Sequence, residues 1–372
     1  MKSTFLIVLF YIQLSLNAAQ FSVLTCSRGE EIYSTFGHSA IRYQDSSQGI
    51  DWVYNYGLFD FYDPNFIPKF CMGKLDYMVG KESMNDFMGQ YVYQQREVKE
   101  QVLNLSDSQN TNLLKFLEWN ILDKNKYYRY DFLYNNCATK ILEVLEKTCP
   151  SVKLTYFHNT DNLSFRQLIH SNACNSVPWI DWGMDLALGI PTDKKASDKE
   201  YCFLPEFVYK SLLASNLVSS ESVLIPAIGT QSSSSFFQKP IFFALLILVL
   251  SIYLRFTNKN WGRIIWSIFL IILGIGGLII GFEWFMTEHT VTKSNWNLGC
   301  LNPLSLIYGL LFLFKKENRK LEIILFLCAT LTFVVSILNI QEFHIASRII
   351  IYSEILYFSR SINKFVKKQE NL

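Results

Sequence analysis

The sequence predicts an α+β globular domain followed by an all-α transmembrane bundle of about five helices. Three observations carry this expectation. Half of the 372 residues are hydrophobic and only 18% are charged, below the roughly 25% usual for soluble chains. The apolar excess is uneven: residues 20–238 are of mixed polarity, whereas 240–360 hold five apolar runs. In the first part, aromatic alternating stretches bounded by polar turns are followed by amphipathic ones, as when strands and helices share a core. The net charge of +2 supplies no basic field for nucleic acid. The apolar content excludes general disorder, and 17 Gly and 8 Cys exclude collagen and a small disulfide scaffold.

Residues 1–19 read as a signal peptide. Lys2 gives a positive start, Phe5 to Leu16 an apolar run, and Asn17-Ala18-Ala19 a small-residue cleavage site. Val23-Leu24-Thr25-Cys26 is only a loose lipobox, since Thr25 is unusual there and Cys26 lies far past the apolar run. Residues 20–230 form the exported domain, 231–239 a polar linker around Ser232 to Ser235, and 240–372 the membrane domain.

The apolar runs lie at about 240–254, 262–285, 299–314, 321–340 and 345–359. A spanning helix needs about 17–25 apolar residues. The second and fourth runs qualify, and the first does with Phe236 and Phe237. The third and fifth are short or carry Asn302, Arg348 and Glu354, which a bundle tolerates. Basic residues cluster after run one (Arg255, Lys259, Arg263), after run three (Lys315, Lys316, Arg319, Lys320) and in the tail (Lys364, Lys367, Lys368). The opposite loops hold little more than Lys293. By the positive-inside rule the first domain is exported, five spans follow, and the C-terminus is cytoplasmic. Four spans are the alternative. An oxidising compartment would allow disulfides among Cys26, Cys71, Cys137, Cys149, Cys174 and Cys202, but spacing does not give their pairing.

The strongest local signal is Tyr127-Tyr-Arg-Tyr-Asp-Phe-Leu-Tyr-Asn-Asn-Cys-Ala-Thr-Lys140. A strand-prone aromatic stretch runs into Asn135-Asn136. The sequence after Cys137 then reads as an amphipathic helix, with Ile141, Leu142, Val144 and Leu145 against Lys140, Glu143 and Glu146. Asn136 is a natural N-cap. Cys137 at the helix start would have its thiolate stabilised by free N–H groups and the positive dipole end, and those groups can also serve as an oxyanion hole. The alternative is an ordinary buried Cys in a core helix.

A thiolate needs a base. Tyr33-Ser-Thr-Phe-Gly-His-Ser-Ala-Ile-Arg-Tyr43, a polar turn at 44–49, and Ile50-Asp-Trp-Val-Tyr-Asn-Tyr-Gly57 read as a hairpin. His38 opens its first strand, flanked by Gly37 and Ser39, which permits close approach of another element. His158 and His170 lack that setting, although a lone His is often structural. Asn55 on the second strand is the expected orienter of the imidazole; Asp51, Tyr54 and Tyr56 are rivals, because a one-residue slip of register flips faces. Ser39, Tyr54, Tyr56, Arg129 and Asn136 are the candidate substrate-binding residues. Arg129 could hold a phosphate or pair with Asp131 or another acid. The aromatic, Pro-broken segment 58–70 is expected to line an acyl groove or enter the interface, where aromatic side chains favour sitting, with packing in an irregular loop as the alternative. The polar loop 287–297, with Asn302-Pro303 beyond it, could bind a head group or a lipoprotein N-terminus, or be plainly solvated.

Taken together, "LTCSRGEEIYSTFGHSAIRYQD", "VYNYGLFDF" and "YYRYDFLYNNCATK", between a signal peptide and a C-terminal bundle, resemble the lipoprotein N-acyltransferases of the Bacteroides type (Lnb). The exported domain of such proteins also resembles permuted papain-like folds of the NlpC and lecithin:retinol acyltransferase type, in which a His-bearing strand precedes the Cys-bearing helix. The order His38 then Cys137 matches. The resemblance carries the family's His and Cys to these two residues. Asn135 stands where an acidic residue is expected, which leaves that position open. The resemblance implies transfer of an acyl chain from phospholipid, through a Cys137 thioester, to the α-amino group of a lipoprotein's diacylglyceryl cysteine. It implies phospholipid, diacylated lipoprotein and membrane lipid as partners, and no cofactor, metal or nucleic acid. Together with the positive-inside topology it implies the inner (cytoplasmic) membrane, with the exported domain facing the periplasm. HExxH and GxGxxG motifs are absent from the sequence. The rival readings are a peptidoglycan amidase or endopeptidase of the NlpC type, and a non-catalytic envelope membrane protein whose Cys137 is structural or disulfide-bonded.

Overall fold

The computed structural model describes residues 19–369 except 30, 61, 228–233 and 258, with side chains to 360. The signal-peptide reading therefore lies outside the described residues, as does part of the linker.

The first region is built from strands β1 (Gln20–Cys26), β2 (His38–Asp45), β3 (Ile50–Leu58), β4 (Asp76–Ser83), β5 (Val98–Leu103), β6 (Tyr127–Arg129) and β7 (Val218–Ile225). Between them run α1 (Phe66–Cys71), α2 (Met84–Tyr93), α3 (Asp107–Asn120), α4 (Cys137–Thr148), α5 (Phe165–Ala173), α6 (Pro178–Ala187) and α7 (Pro205–Ala214). The strands form one sheet in the order β6-β4-β3-β2-β1-β5-β7, and its pairings are antiparallel. The expected hairpin is β2–β3, with Asp45 opposite Ile50 and Ile41 opposite Tyr54.

One large core joins Phe21, Val23, Ile41 and Tyr54 of the sheet to Leu117 of α3, Ile141 and Leu145 of α4, Phe165 of α5 and Val208 of α7. A smaller one joins Leu24, Ala40 and Val53 to Phe87 and Tyr91 of α2. Helix α4 forms because its apolar residues recur at helical spacing and Asn136 caps it. Its Ala138, Ile141, Leu142, Val144 and Leu145 are buried, each of the larger ones contributing about 1.5–3 kcal/mol. That burial fixes where the N-terminus of α4, and hence Cys137, must lie.

The second region is helical: α8 (Pro240–Phe256), α9 (Asn260–Met286), α10 (Pro303–Leu313), α11 (Arg319–Ile337) and α12 (Ile345–Gln369). Each apolar run of the sequence has become a helix. Among the described residues three stretches are long and apolar enough to cross a membrane, Asn260–Met286, Trp296–Leu313 and Arg319–Ile337. Helix α8 is shorter at 17 residues.

The loop 287–302 does not hang free. Asn295 and Asn297 are fully buried. Asn295 Nδ2 donates to the carbonyls of Leu186 and Ala187 at 2.7 and 2.9 Å, and Asn297 Nδ2 to that of Asp185 at 3.0 Å. His344 N donates to Asp185 Oδ2 at 2.9 Å. The same Asp185 pairs with buried Arg166 at 2.9 Å, and Arg166 reaches Asp193 at 2.6 Å. The polar character of the loop is thus spent on joining the two regions, because amide side chains satisfy the open C-terminal carbonyls of α6.

Candidate active site

Cys137 is the first residue of α4. Asn136 Oδ1 accepts from Ala138 N and Thr139 N at 2.9 and 3.0 Å, and Thr139 Oγ1 accepts from Asn136 N at 2.8 Å. Asn136 Nδ2 donates to the carbonyls of Phe132 and Phe203. This capping box is buried and locked from both sides, so the Asn136 side chain is committed to backbone groups and aims the helix start. Asn135 supports the preceding turn: it exchanges backbone bonds with Asp131 and donates its Nδ2 to the Arg129 carbonyl at 2.6 Å.

His38 comes to Cys137 from the edge of β2, near enough for each side chain to act on the charge of the other. Burial by itself would raise the thiol pKa and lower that of the imidazole. Their mutual attraction overrides both, so that Cys137 is held below its ordinary value and His38 above it. The backbone N–H groups of Ser39 and Ala138 also favour the thiolate. In the half-buried pair each group therefore favours the charged form of the other.

Continuing the β2–β3 register from Ile41↔Tyr54 puts Ala40 opposite Asn55, so Asn55 and His38 share a face. His38 Nε2 lies 2.7 Å from Asn55 Oδ1. Asn55 Nδ2 donates to Glu82 Oε1 at 2.9 Å. A carboxylate only accepts, so the amide must turn its oxygen to His38, and Nε2 must carry a proton. Nδ1 is then the nitrogen left for the sulfur.

The rivals are committed elsewhere. Asp51 holds Arg42 through both oxygens, at 2.7 and 2.6 Å. Tyr54 and Tyr56 lie on the opposite face of β3, buried, with hydroxyls on Glu118 and on Asn120 at 2.5 and 2.7 Å. The structure does not bring these two tyrosines to Cys137. Ser39 lies beside it, contributing its backbone N–H, with its side chain fully buried. Arg129 is exposed and pairs with Asp76 at 3.5 Å, away from Asp131.

Three contributors escaped the sequence reading. Glu82 follows no motif, and only the β3–β4 pairing reveals it. Gly57 sits at a bulge between β3 and β4 with φ +95°, and a Cβ there would meet Cys137 Cβ at 3.4 Å. Only glycine takes that backbone at little cost while leaving room for the sulfur. Tyr128 on β6 has a buried hydroxyl that finds no acceptor, and burial pushes its pKa up, with Cys137 adding to the rise. "Tyr-Tyr-Arg-Tyr" could have signalled it, but four aromatic residues in a row do not say which one faces inward.

Cys137 carries no disulfide, and Cys26, Cys71, Cys149, Cys174 and Cys202 are likewise free thiols. A cleft of about 290 Å³ lined by Cys26, Arg28, Gly37, Lys99 and Glu206 lies beyond Gly37 and does not include the Cys137 thiol. Among the described residues one cluster, His170, Asp181 and His344, brings three metal-type donors within 4.8 Å. His344 Nδ1 accepts from Ala346 N at 3.1 Å. The neutral ring therefore holds its proton on Nε2, the atom that would bind a metal, and the cluster is a hydrogen-bonded joint.

The fold and site define a thiol-type centre on a mixed α/β domain joined to membrane-crossing helices. A family model for the Lnb N-terminal periplasmic domain matches residues 10–171, and one for the Lnb transmembrane domain matches 231–370. The chain belongs to the Lnb family, a membrane protein with a periplasmic N-terminal domain and a lipoprotein N-acyltransferase-type role. No curated protein and no solved structure matches it.

Proposed function

We propose that this protein moves an acyl chain from a phospholipid to the α-amino group of a lipoprotein's diacylglyceryl cysteine, through a thioester on Cys137. The observation that carries the proposal is the polarised chain Cys137–His38–Asn55–Glu82 at the start of α4. Cys137 Sγ attacks the ester carbonyl while His38 holds the thiol proton. The oxyanion is met by the Cys137 N–H, which has no partner within the helix, and by the Tyr128 hydroxyl. Collapse breaks the ester C–O bond, and the departing lysophospholipid oxygen takes the proton from His38. The free amine then attacks the thioester and gives one proton to His38. Sulfur leaves as thiolate, and an amide has formed.

The order of His strand before Cys helix favours a permuted papain-like domain. The basic residues after α8, after α10 and in the tail favour five spans with the C-terminus in the cytoplasm, preceded by a cleaved signal peptide. Both substrates are then presented at the outer face of the inner membrane, where the tethered domain stands.

The test is to incubate the purified full chain with phospholipid and a diacylated lipopeptide and record masses. Gain of one acyl group on the peptide amine, lost in Cys137→Ala and His38→Ala, is expected. Triacylation by Cys137→Ala would sink the mechanism. Cleavage of muropeptides without acyl transfer would replace it with wall hydrolysis.

A further inference from the structure

An aromatic ladder runs across the surface between the membrane helices and Cys137. Phe70 stacks on Phe66 with ring centres 6.2 Å apart, Phe66 on Phe59 at 5.3 Å, Phe59 meets Tyr77 edge-on at 5.2 Å, and Tyr77 stacks on Tyr130 at 4.1 Å. The ladder reaches the thiol through β3, since Phe59 lies two residues past Gly57, where a Cβ would stand 3.4 Å from Cys137 Cβ. None of the five rings is fully buried. A core stack would be wholly covered; each of these five residues keeps part of its surface exposed.

The far end of the ladder stands at the bilayer. Helix α1 has the sequence Phe-Ile-Pro-Lys-Phe-Cys, yet none of its residues is buried. Ile67 is 65% exposed and Phe70 51%. The residues just past α1 are fastened to the end of membrane-crossing α9. Glu288 N donates to the Met72 carbonyl at 2.8 Å, and His289 Nε2 lies 3.1 Å from the Phe70 carbonyl. Gly73 lets the two chains touch, since a Cβ there would stand 2.9 Å from His289 N. Met286, the last residue of α9, is itself 66% exposed. An apolar helix left bare in water is unfavourable. One held at the end of a membrane span meets lipid instead, and aromatic residues favour that depth.

We infer that α1 enters the outer leaflet and that the ladder Phe70–Phe66–Phe59–Tyr77–Tyr130 guides one acyl chain of the donor phospholipid from the bilayer to Cys137. Each ring offers a flat apolar surface to successive methylenes, and the polar head stays outside at the level of Lys69 and Lys74. The inference rests on the acyl-transfer reading and assigns its donor subsite. It also explains why the catalytic domain is docked on the bundle: a tether alone would not keep a lipid path continuous.

Two measurements test it. In vesicles of long-chain phosphatidylethanolamine, formation of the Cys137 thioester is followed by intact mass, with a small water-soluble acetate ester as control substrate. Phe66→Ser and Tyr77→Ala are expected to lower the rate with phospholipid at least tenfold and to leave the rate with the small ester within about twofold. Unchanged phospholipid rates, or equal loss of both substrates in half-exposed Phe66→Ser, overturn the path. Separately, full-length Cys137→Ala in vesicles containing phospholipid with a photoreactive acyl tail should be labelled between residues 59 and 77. Labelling there by a diacyl lipopeptide and not by phospholipid overturns the assignment to the donor. A wild-type chain that never forms a thioester from phospholipid refutes acyl transfer itself, which is a different result from normal acylation that ignores the ladder.

Discussion

His38 and His170 are set up alike and do different things. Each ring donates a hydrogen bond to a side-chain oxygen, Asn55 Oδ1 at 2.7 Å for His38 and Asp181 Oδ2 at 2.8 Å for His170. Each pKa lies above the ordinary histidine value. His38 is raised by Cys137 against the opposing effect of burial, and His170 by its hydrogen bond to Asp181. The difference is in the anion. Asp181 offers a carboxylate oxygen to its histidine. Cys137 is a thiol, and its anion is favoured by an imidazole and a helix start. The first pairing fastens α5 to α6; the second favours the charged forms of a thiol and an imidazole. What a histidine can do depends on the partner it meets, here a carboxylate in one case and a thiol in the other.

His38→Ala should break that contrast most sharply. Acyl transfer is expected to fall about 10²–10⁴-fold, and the pH midpoint for alkylation of Cys137 by iodoacetamide should move up toward the ordinary thiol value. A midpoint that stays put would mean that the helix terminus alone holds the thiolate.

Arg166→Ala probes the joint instead. Removing this buried cation leaves Asp185 and Asp193 without their partner and should cost about 3–5 kcal/mol, read as thermal unfolding in detergent. The Cys137 alkylation midpoint should be unchanged; a large shift would show that the two regions are coupled.

Tyr128→Phe separates oxyanion binding from thiol activation. Acyl transfer is expected to drop about 10²-fold with alkylation untouched, since alkylation passes through no oxyanion. Equal loss of both would return Tyr128 to a packing role.

Asn55→Ala removes two hydrogen bonds, to His38 and to Glu82; the one to His38 bears on the rate and contributes about 0.5–1.5 kcal/mol, so roughly a tenfold loss of rate or less is expected. The conservative Asn55→Asp should recover most of it. If Asp does worse than Ala, Glu82 is repelling it.

The smallest effect belongs to His170→Gln. Because folding raises the His170 pKa, the ring stabilises the fold below its unfolded pKa of about 6.5, and that gain is lost as pH rises through the folded value. The side chain is half exposed, so the difference should stay under about 1 kcal/mol. Melting curves at acid and alkaline pH should differ between wild type and variant only at the acid end. A deficit that grows at alkaline pH would contradict the joint.

Much of the site's raw material was legible. Asn136 followed by an amphipathic run announced a capped helix, and Gly37-His38-Ser39 at a strand start marked an approachable imidazole. The hairpin register was not legible to one residue, because the six-residue turn at 44–49 allows either face, and Asn55 against Tyr54 or Tyr56 hung on that. Glu82 was beyond reach because it enters through β4, whose pairing with β3 passes a bulge at Gly57. The loop 287–302 misled for a different reason. Polar residues look solvated in a sequence, and nothing local says that open carbonyls of α6 are waiting for Asn295 and Asn297.

The sequence by itself determined what depends on neighbours in the chain: the split between a mixed-polarity domain and apolar helices, the placement of basic residues on one set of loops, and a Cys at a helix start. Hydrophobic periodicity and capping are local, so they can be read in one dimension. Only the tertiary structure decided which partners meet. Cys137, His38, Asn55 and Glu82 come from one helix and three strands. Their contact is a property of sheet register and helix packing, which are set by the burial of residues that take no part in the chemistry.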